Sequence, residues 1–307
     1  MTSRTPEQAE AIRLRYLEVD TSNAADVLDT LDLPHQGLAP EFAPYPATAG
    51  RLAGWAYPIR GQMTPFRYDG GDPDKMEACA QLQPGQVSVW SGGGEGVCFF
   101  GELIAIGMQE RGCTGALVDG GIRDVAWIGR HGFPVYARYR TPIQSIGRWK
   151  VTDSGCPVSL PGATMRQVRV EPGDFVVGDE DGVLVIPASV VDVVLERAEG
   201  LGAREKEIRA DIAAGLSLAD AELVAVVGSA LAGERLHANE VAARLGEPVD
   251  QPRVGGLAEH PERLVIGGDA VDALGVEPAS RCFVDGDERV KAASVAAGRA
   301  RRMRKVM

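Results

Sequence analysis

Short apolar segments alternate with helical stretches over roughly the first 220 residues, and this alternation constrains the fold more than any other feature. The segments Val87–Trp90 and Ala116–Val118 have the length and composition of buried strands. The stretches Phe100–Arg111 and Asp124–His131 are helical in pattern, and each is followed by a glycine, the residue that most often ends a helix. Strands and helices that interleave in this way predict a compact, layered α/β structure.

The remaining elements of this region are predicted by their capping and turn residues. Residues 7–33 predict two helices separated at Asp20–Asn23, a cluster of residues that cap helix N-termini. The proline content of residues 34–46 excludes a long helix or strand there. Asp181-Gly182 predicts a hairpin turn, and residues 189–214 predict a long helix. Further strands are predicted at Phe133–Tyr136, Phe175–Val177 and Val183–Ile186.

The sequence changes character after residue 220. Leu223–Leu245 is helical in pattern, and Gln251–Glu262 is rich in proline and glycine. The stretch from Arg289 onward holds seven Lys or Arg residues and no acidic residue. We therefore predict an α/β domain at residues 1–220 and a C-terminal extension of unassigned structure at residues 221–307.

Charge and cysteine content argue against several classes of protein. The net charge of −11 repels nucleic acid and anionic membranes, so we expect neither as a partner. No apolar run reaches the length of about 18 residues that a membrane helix needs. The five cysteines include no Cys-x-x-Cys pair, which is typical of a reducing cytoplasm. Nucleic-acid or partner binding by the basic C-terminal stretch stays open as an alternative.

The first candidate site is Asp119-Gly120-Gly121-Ile122-Arg123-Asp124, which follows an apolar strand and begins a helix. Its two glycines permit a tight turn, so Arg123 and Asp124 are presented on a strand-to-helix loop. Arg123 can bind a carboxylate through two parallel hydrogen bonds, and Asp124 can bind a hard cation through oxygen. The alternative is a structural one, in which Asp124 caps the helix beside a surface arginine.

The second candidate is the glycine run Ser91–Gly96 together with the helix predicted at residues 100–111. The glycine spacing differs from a dinucleotide fingerprint, and no Gly-Lys-Ser/Thr follows, so a nucleotide loop is not expected. The backbone N–H groups at the start of the helix can instead bind an oxyanion, and Glu102 in the first turn can approach a metal. The alternative for Glu102 is a carboxylate that stabilises the helix dipole.

Other chemistries lack the residues that they require. None of the five lysines lies in an apolar strand, where a Schiff-base lysine is usually found. The four histidines have no metal-ligand spacing, and a Gly-x-Ser-x-Gly nucleophile motif is absent. Cys98 and Cys113 flank the candidate site, but their apolar neighbours favour the core. The Arg204–Glu207 segment has, from its pattern alone, the character of a solvated helix face.

In their order and spacing, these motifs resemble the RraA-like family, which includes the 4-hydroxy-4-methyl-2-oxoglutarate/4-carboxy-4-hydroxy-2-oxoadipate aldolases and the regulator of ribonuclease E activity. The resemblance is carried by Gly101–Ala105 and Gly115–Asp124 and covers about residues 15–220. Supporting segments are Ala24–Asp29, Gly132–Arg138, Thr141-Pro142, Pro172–Asp174 and Gly178–Val183. It implies an α-β-β-α sandwich of the swivelling-domain type, assembled as a trimer or a dimer of trimers.

The resemblance also implies roles for individual residues. Arg123 corresponds to the arginine that binds the pyruvyl carboxylate, and Asp124 to the ligand of Mg²⁺ or Mn²⁺. Glu102 corresponds to the acidic residue that supports the water shell of the metal. The backbone amides of Gly101, Glu102, Leu103 and Ile104 correspond to a cradle for the substrate.

A further acidic group is implied to come from a neighbouring subunit and to reach the waters of the metal. In this sequence Glu205 fits that position best, and Glu207 is the second choice. The active site would then lie between subunits of a homo-oligomer.

The implied function is that of a divalent-metal-dependent lyase that cleaves a 4-hydroxy-2-oxo acid to pyruvate. Decarboxylation of oxaloacetate is expected as a side reaction, because both reactions pass through the same enolate. The alternative is a non-catalytic, protein-binding regulator of the ribonuclease E inhibitor type. The chain departs from the family in length, since members commonly end near residues 220–240 of this numbering.

Overall fold

A mixed nine-stranded β-sheet lies at the centre of the computed structural model, which describes residues 4–64 and 71–231. The strands of the described chain are β1 (Ala43–Pro44), β2 (Leu52–Met63), β3 (Gln86–Ser91), β4 (Cys98–Phe100), β5 (Gly115–Ile122), β6 (Val135–Arg140), β7 (Trp149–Ser154), β8 (Val158–Pro161), β9 (Gln167–Val170), β10 (Phe175–Asp179) and β11 (Gly182–Ile186). The helices are α1 (Pro6–Tyr16), α2 (Thr21–Thr30), α3 (Pro73–Gln81), α4 (Glu102–Gln109), α5 (Val125–Arg130), α6 (Val191–Ala213) and α7 (Leu218–Leu231).

The order of the strands brings several loops to one edge of the sheet. The order is β1-β6-β5-β3-β2-β10-β11, with β4 beside β5 and β7 beside β2. Strands β2, β3, β5 and β6 pair in parallel, and α3, α4 and α5 lie between them in the chain. Because parallel strands end at the same edge, the segments that follow β3, β4 and β5 lie near one another. Both candidate motifs of the sequence are in these segments.

The core occupies both faces of the sheet, and alternate residues of a strand point to opposite faces. In β5, Ala116 and Val118 pack with the cluster around α3, α4 and α5, whereas Leu117 packs with the cluster on the other face. That second face is covered by the two-stranded β8–β9 sheet. The large sheet thus has helices on one face and the small sheet on the other, in a mixed α/β fold, and the α-β-β-α sandwich stays a prediction.

Most of the predicted elements are present in the first 200 residues. The N-terminal helices are separated at residues 17–20, so the predicted break at Asp20–Asn23 is correct only at Asp20, and residues 21–23 form the first turn of α2. The predicted hairpin is confirmed, since β10 and β11 pair antiparallel from Phe175↔Ile186 to Asp179↔Gly182. The strand predicted at Phe133–Tyr136 instead begins at Val135 and runs to Arg140. Strands β2, β7, β8 and β9 and helix α3 were not predicted.

The described chain divides into two compact units, the first of which ends at Gly202, within α6. The boundary that the sequence predicts at residue 220 stays a prediction. In the second unit the helix predicted at Leu223–Leu245 is described as α7, up to Leu231, and its later residues lie outside the described chain, as does the basic stretch from Arg289. Within the described residues, no helix combines the length and apolar character that crossing a bilayer requires.

Candidate active site

The loop that follows β5 is fixed against the loop that follows β4. Phe100 at the end of β4 pairs with Ile122 at the end of β5. The backbone N–H of Arg123 donates to the carbonyl oxygen of Phe100 at 3.1 Å. The first residues of α4 and of α5 therefore begin side by side, at the edge of the sheet.

Asp124 adopts an unusual backbone conformation for a residue other than glycine. Its φ is 59° and its ψ is 29°, in the left-handed region. A residue with a Cβ in this region costs of order 1 kcal/mol, and such strain is concentrated at functional sites. Although Asp124 occupies the N-cap position of α5, its side chain makes no capping hydrogen bond. The structure therefore does not support the capping role that the sequence left open.

The carboxylate of Asp124 is directed toward α4 instead. Its Oδ2 accepts a hydrogen bond from the backbone N–H of Glu102 at 3.1 Å and lies 3.4 Å from Nε of Arg123. Among the described residues, no hydrogen bond involves Oδ1 of Asp124. The side chains of Arg123 and Asp124 are 45% and 36% exposed, so both can contact a ligand from solvent.

Gly101 makes this close approach possible. A Cβ placed on Gly101 would lie 2.8 Å from Oδ2 of Asp124 and 3.0 Å from Cγ of Arg123. Its φ of −171° is accessible to any residue, so the requirement for glycine is steric. The absence of a side chain at Gly101 is what lets the two functional side chains pack over the start of α4.

The first turn of α4 holds the residues that correspond to the substrate cradle. An α-helix leaves the N–H groups of its first turn without partners inside the helix, and here the N–H of Glu102 is bound by Asp124. The amides of Leu103 and Ile104 follow in the same turn. The side chain of Leu103 is 77% exposed, which is unusual for leucine and places an apolar group at the rim of the site. The roles of Gly101, Glu102, Leu103 and Ile104 stay predictions.

The glycine run after β3 is used structurally. The N–H groups of Gly93 and Gly94 donate to Asp119, at 3.1 Å to Oδ2 and 3.3 Å to its carbonyl oxygen. The other carboxylate oxygen of Asp119 accepts from Nη1 of Arg138 at 3.1 Å. These two amides are therefore engaged by the protein, and the amides that remain for an oxyanion are those at the start of α4.

A separate cleft of about 680 Å³ opens beside this glycine run. Arg60, Arg138 and Arg169 line it, but each is paired with an acidic side chain, at Asp153, Asp119 and Glu171 respectively. Its lining includes Asp119 of the first candidate motif and Gly92 and Gly93 of the second, but neither Arg123 nor Asp124.

Glu205 lies on α6 in the second compact unit. Its Oε2 lies 3.5 Å from Nη1 of Arg209 on the next turn, a pairing typical of a solvated helix face. Whether Glu205 or Glu207 serves the site stays a prediction.

The donor set at the loop suits a cation that needs few protein ligands. Among the described residues, no group of three or more His, Cys, Asp or Glu side chains could hold a metal ion. Mg²⁺, however, keeps several waters and is commonly bound through one or two carboxylates. Asp124 offers its unbonded Oδ1, and Glu102, whose backbone N–H is bound by Asp124, carries a second carboxylate at the first position of α4. The residues present thus fit Mg²⁺ or Mn²⁺ and do not fit a zinc site built from histidine and cysteine.

Cysteines near the site belong to the core, as the sequence predicts. Cys98 and Cys113 are 4% and 5% exposed. Burial raises the pKa of the Cys98 thiol, and the positive charge of Arg123 only partly opposes this. A thiol with a raised pKa is a poor nucleophile at neutral pH.

Sequence reasoning missed Lys75, a lysine buried close to this site. It is 7% exposed and lies on α3, an element that was not predicted. The spacing of Lys75, Ala78 and Leu82 is that of one helix face, and all three are buried. That spacing was the available signal, but a lysine at such a position normally extends its charged end to solvent.

Comparison with known proteins shows the family of this chain. A family model described as RraA-like, Aldolase/RraA, matches residues 21–185, more than half of the chain. The chain belongs to the RraA-like family. A protein of Halalkalibacterium halodurans named "Putative 4-hydroxy-4-methyl-2-oxoglutarate aldolase" is 32% identical over 125 residues, which cover 40% of this chain and 57% of that protein. The chain spans little more than half the length of the first curated relatives that it matches.

Two solved structures have a similar fold. A structure described under novel cellulases from gut-associated microbes superposes with a TM-score of 0.60 at 26% identity, over 67% of this chain and 90% of that one. RraAS2 of Streptomyces coelicolor, described as an unusual member of the RNase ES inhibitor RraA family, has a TM-score of 0.57 at 22% identity, over 68% and 100%. At 22% identity, the similarity to RraAS2 shows only that the two chains share a mixed α/β fold.

Proposed function

We propose that this protein is a divalent-metal-dependent carbon–carbon lyase that cleaves a 4-hydroxy-2-oxo acid and releases pyruvate. The observation that carries the proposal is the left-handed conformation of Asp124, which directs its carboxylate away from α5 and toward α4. Asp124 therefore does not cap α5 with its side chain, and among the described residues its Oδ1 has no hydrogen-bond partner, so this oxygen is available to a metal.

In this proposal Arg123 binds the carboxylate of the 2-oxo acid, because a guanidinium matches a carboxylate with two parallel hydrogen bonds. The amides of Leu103 and Ile104 orient the same end of the substrate. Asp124 would hold Mg²⁺ or Mn²⁺ through Oδ1, and Glu102 would support the water shell of the metal. When bound, the cation supplies Lewis-acid stabilisation of the negative charge that develops on the 2-oxo oxygen.

The reaction needs a proton to move twice. The C4 hydroxyl loses its proton as the C3–C4 bond breaks, and the electron pair remains on the pyruvyl fragment as an enolate. The enolate then takes a proton at C3 to give pyruvate. We assign the carboxylate of Glu102 to hold this proton, through water, because it lies in the same helical turn as the cradle amides.

The geometry favours a lyase over a glycosidase, although one similar structure is described under cellulases. Glycoside hydrolysis uses two carboxyl groups that flank the bond to be cleaved. Here the site carboxylate is held 3.4 Å from a guanidinium, and that pair suits a small acid rather than a neutral sugar.

The proposal includes a homo-oligomer, a trimer or a dimer of trimers, with the site completed by a glutamate of a neighbouring subunit. Glu205 is assigned to that role and Glu207 is the second choice. The four-layer α-β-β-α sandwich belongs to the same proposal. Support comes from membership of the RraA-like family.

The test is pyruvate release from a panel of 4-hydroxy-2-oxo acids and oxaloacetate. We expect release with Mg²⁺ or Mn²⁺, loss of release with EDTA, and recovery when metal is added back. Full activity in metal-free protein would refute the metal-dependent mechanism. No release from any member by folded, metal-supplied protein would favour the alternative, a protein-binding regulator of the ribonuclease E inhibitor type.

A further inference from the structure

The strand that leads to the Arg123–Asp124 loop has a bulge just before that loop. The flanking partners in the parallel β5–β6 pairing are Val118↔Ala137 and Gly121↔Tyr139. Asp119 and Gly120 of β5 therefore lie opposite Arg138 alone. A bulge is rare between parallel strands; it bends its strand and changes the direction of the residues that follow. Because Arg123 and Asp124 follow this bulge, it determines where both are placed.

The carboxylate of Asp119 holds this bulge on two sides. Its Oδ1 accepts from Nη1 of Arg138 on β6 at 3.1 Å, and its Oδ2 accepts from the N–H of Gly93, in the loop after β3, at 3.1 Å. The carbonyl oxygen of Asp119 accepts from the N–H of Gly94 at 3.3 Å. The side chain is 6% exposed, so the low local dielectric strengthens these hydrogen bonds. Asp119 thus ties β5 to the strand on one side and to the glycine loop on the other.

The space between the bulge and the glycine loop is filled by the ring of Phe99 on β4. A Cβ on Gly94 or on Gly120 would overlap this ring, so both segments close over it because they lack side chains. The next residue, Phe100, accepts from the N–H of Arg123 through its carbonyl oxygen. A shift of the bulge or of the glycine loop would therefore be passed through β4 to the Arg123–Asp124 loop.

The stability of the fold does not explain why a carboxylate is present at this position. Asp119 is the one charged residue of β5, a strand that is buried along its whole length. Strands of that kind are normally continuous apolar runs. A buried ion pair adds little net stability, because the loss of hydration offsets the attraction. Its geometry does explain the carboxylate, since it holds two neighbouring segments at one point of the strand.

We propose that Asp119 is a positioning residue for the active site. By holding the bulge against Arg138 and Gly93, it fixes the direction in which Arg123 and Asp124 leave β5. Both of its oxygens are engaged by the protein, so Asp119 itself touches neither metal nor substrate. The inference rests on the proposed function for the roles of Arg123 and Asp124.

Metal binding is the first test, because it needs neither substrate nor turnover. Asn has the size of Asp but one acceptor oxygen in place of two, so Asp119→Asn cannot accept on both sides of the bulge. The control is Asp179→Asn on β10, where the carboxylate is also buried and accepts from the N–H and the hydroxyl of Thr21. We expect Mn²⁺, followed by EPR, to bind Asp119→Asn at least about tenfold more weakly than wild type, and Asp179→Asn within about twofold of wild type.

Amide hydrogen exchange in metal-free protein is the second test, because it reports the position of the loop without any ligand. The N–H groups of Arg123 and Glu102 form the hydrogen bonds that join the loop to β4 and to α4. We expect both to exchange faster in Asp119→Asn than in wild type, and at the wild-type rate in Asp179→Asn.

Either test can overturn the positioning role. Unchanged Mn²⁺ affinity or unchanged exchange in Asp119→Asn would do so, and so would equal losses in Asp179→Asn, since the effect would then be general destabilisation. If wild type binds no Mn²⁺, the metal-dependent function fails, and amide exchange alone decides the role of Asp119. Should Asp119→Asn fail to fold, Arg138→Gln replaces it, because this variant keeps a donor but removes the charge. We expect a smaller change in the same direction, and no change would equally refute the role.

Discussion

Replacement of Gly101 by alanine is expected to damage the site far more than the fold. The new Cβ would lie 2.8 Å from Oδ2 of Asp124 and 3.0 Å from Cγ of Arg123. Ordinary van der Waals contacts begin at about 3.5 Å. Both side chains would therefore shift by about 0.5 Å or more. Displacements of this order typically reduce kcat/KM by about tenfold to a hundredfold, or about 1.4–2.7 kcal/mol in the barrier.

Stability should change little in the Gly101→Ala variant. The side chains of Arg123 and Asp124 are 45% and 36% exposed and can move toward solvent. We expect a loss of under about 1 kcal/mol, or a fall in Tm of less than about 4 °C.

The assay compares pyruvate release and Tm with those of Gly107→Ala in the same helix. A Cβ on Gly107 meets nothing within 4 Å, so this control should stabilise α4 by about 0.5–1 kcal/mol and keep activity within about twofold. Gly101→Ala protein with more than half of wild-type kcat/KM would show that the close approach over α4 is not needed for catalysis.

The remaining predictions concern individual charges. Arg123→Ala and Asp124→Asn should each lower pyruvate release by at least about a hundredfold with Tm nearly unchanged, since both lie on a surface loop; near-normal activity in either would make the loop structural. Mixing inactive Asp124→Asn with inactive Glu205→Gln under conditions of subunit exchange should restore activity, and failure to complement despite exchange would rule out a shared site. If the Glu205→Gln variant is active by itself, the assignment moves to Glu207, and the mixing experiment is repeated with Glu207→Gln. Lys75→Met should be more stable than wild type by about 1 kcal/mol or more at pH 7. Burial lowers the pKa of Lys75 in the folded state. The destabilisation caused by its buried charge is therefore fully present below the folded-state pKa. It disappears as pH rises toward the unfolded-state pKa of about 10.4. Thermal melts across pH 7–10 should show the advantage of Lys75→Met shrinking, and a constant or growing advantage would contradict this.

Local signals were sufficient for those elements whose ends carry caps, glycines or tight turns. The β10–β11 hairpin and the break before α2 were predicted from a few residues each. By contrast, β2 pairs with three other strands and was missed, because Gly54, Pro58 and Gly61 within it disfavour strands. Those glycines are required by packing: a Cβ on Gly61 would lie 1.9 Å from Cζ2 of Trp149. Such long-range contacts are not visible in a local pattern.

The candidate site could be predicted only in part for the same reason. Arg123 and Asp124 were found because glycines and an apolar strand mark their loop. The pairing of β4 with β5 determines the position of Asp124, which adopts a φ of 59° and binds the backbone N–H of Glu102. This long-range pairing could not be predicted from the local sequence. The burial of Lys75 depends on α3 lying against β7 and the loop of Ser145, and neither element was predicted.

The measurement that tests the central claim most directly is exchange of the methyl protons of pyruvate in D₂O, followed by proton NMR. It isolates formation of the enolate at the Arg123–Asp124 loop and needs no knowledge of the physiological substrate. We predict rapid deuteration by the wild-type protein with Mg²⁺, and only the uncatalysed rate with EDTA or with folded Asp124→Asn. Exchange that persists equally in EDTA, or that is absent with Mg²⁺ and folded wild-type protein, would contradict the account.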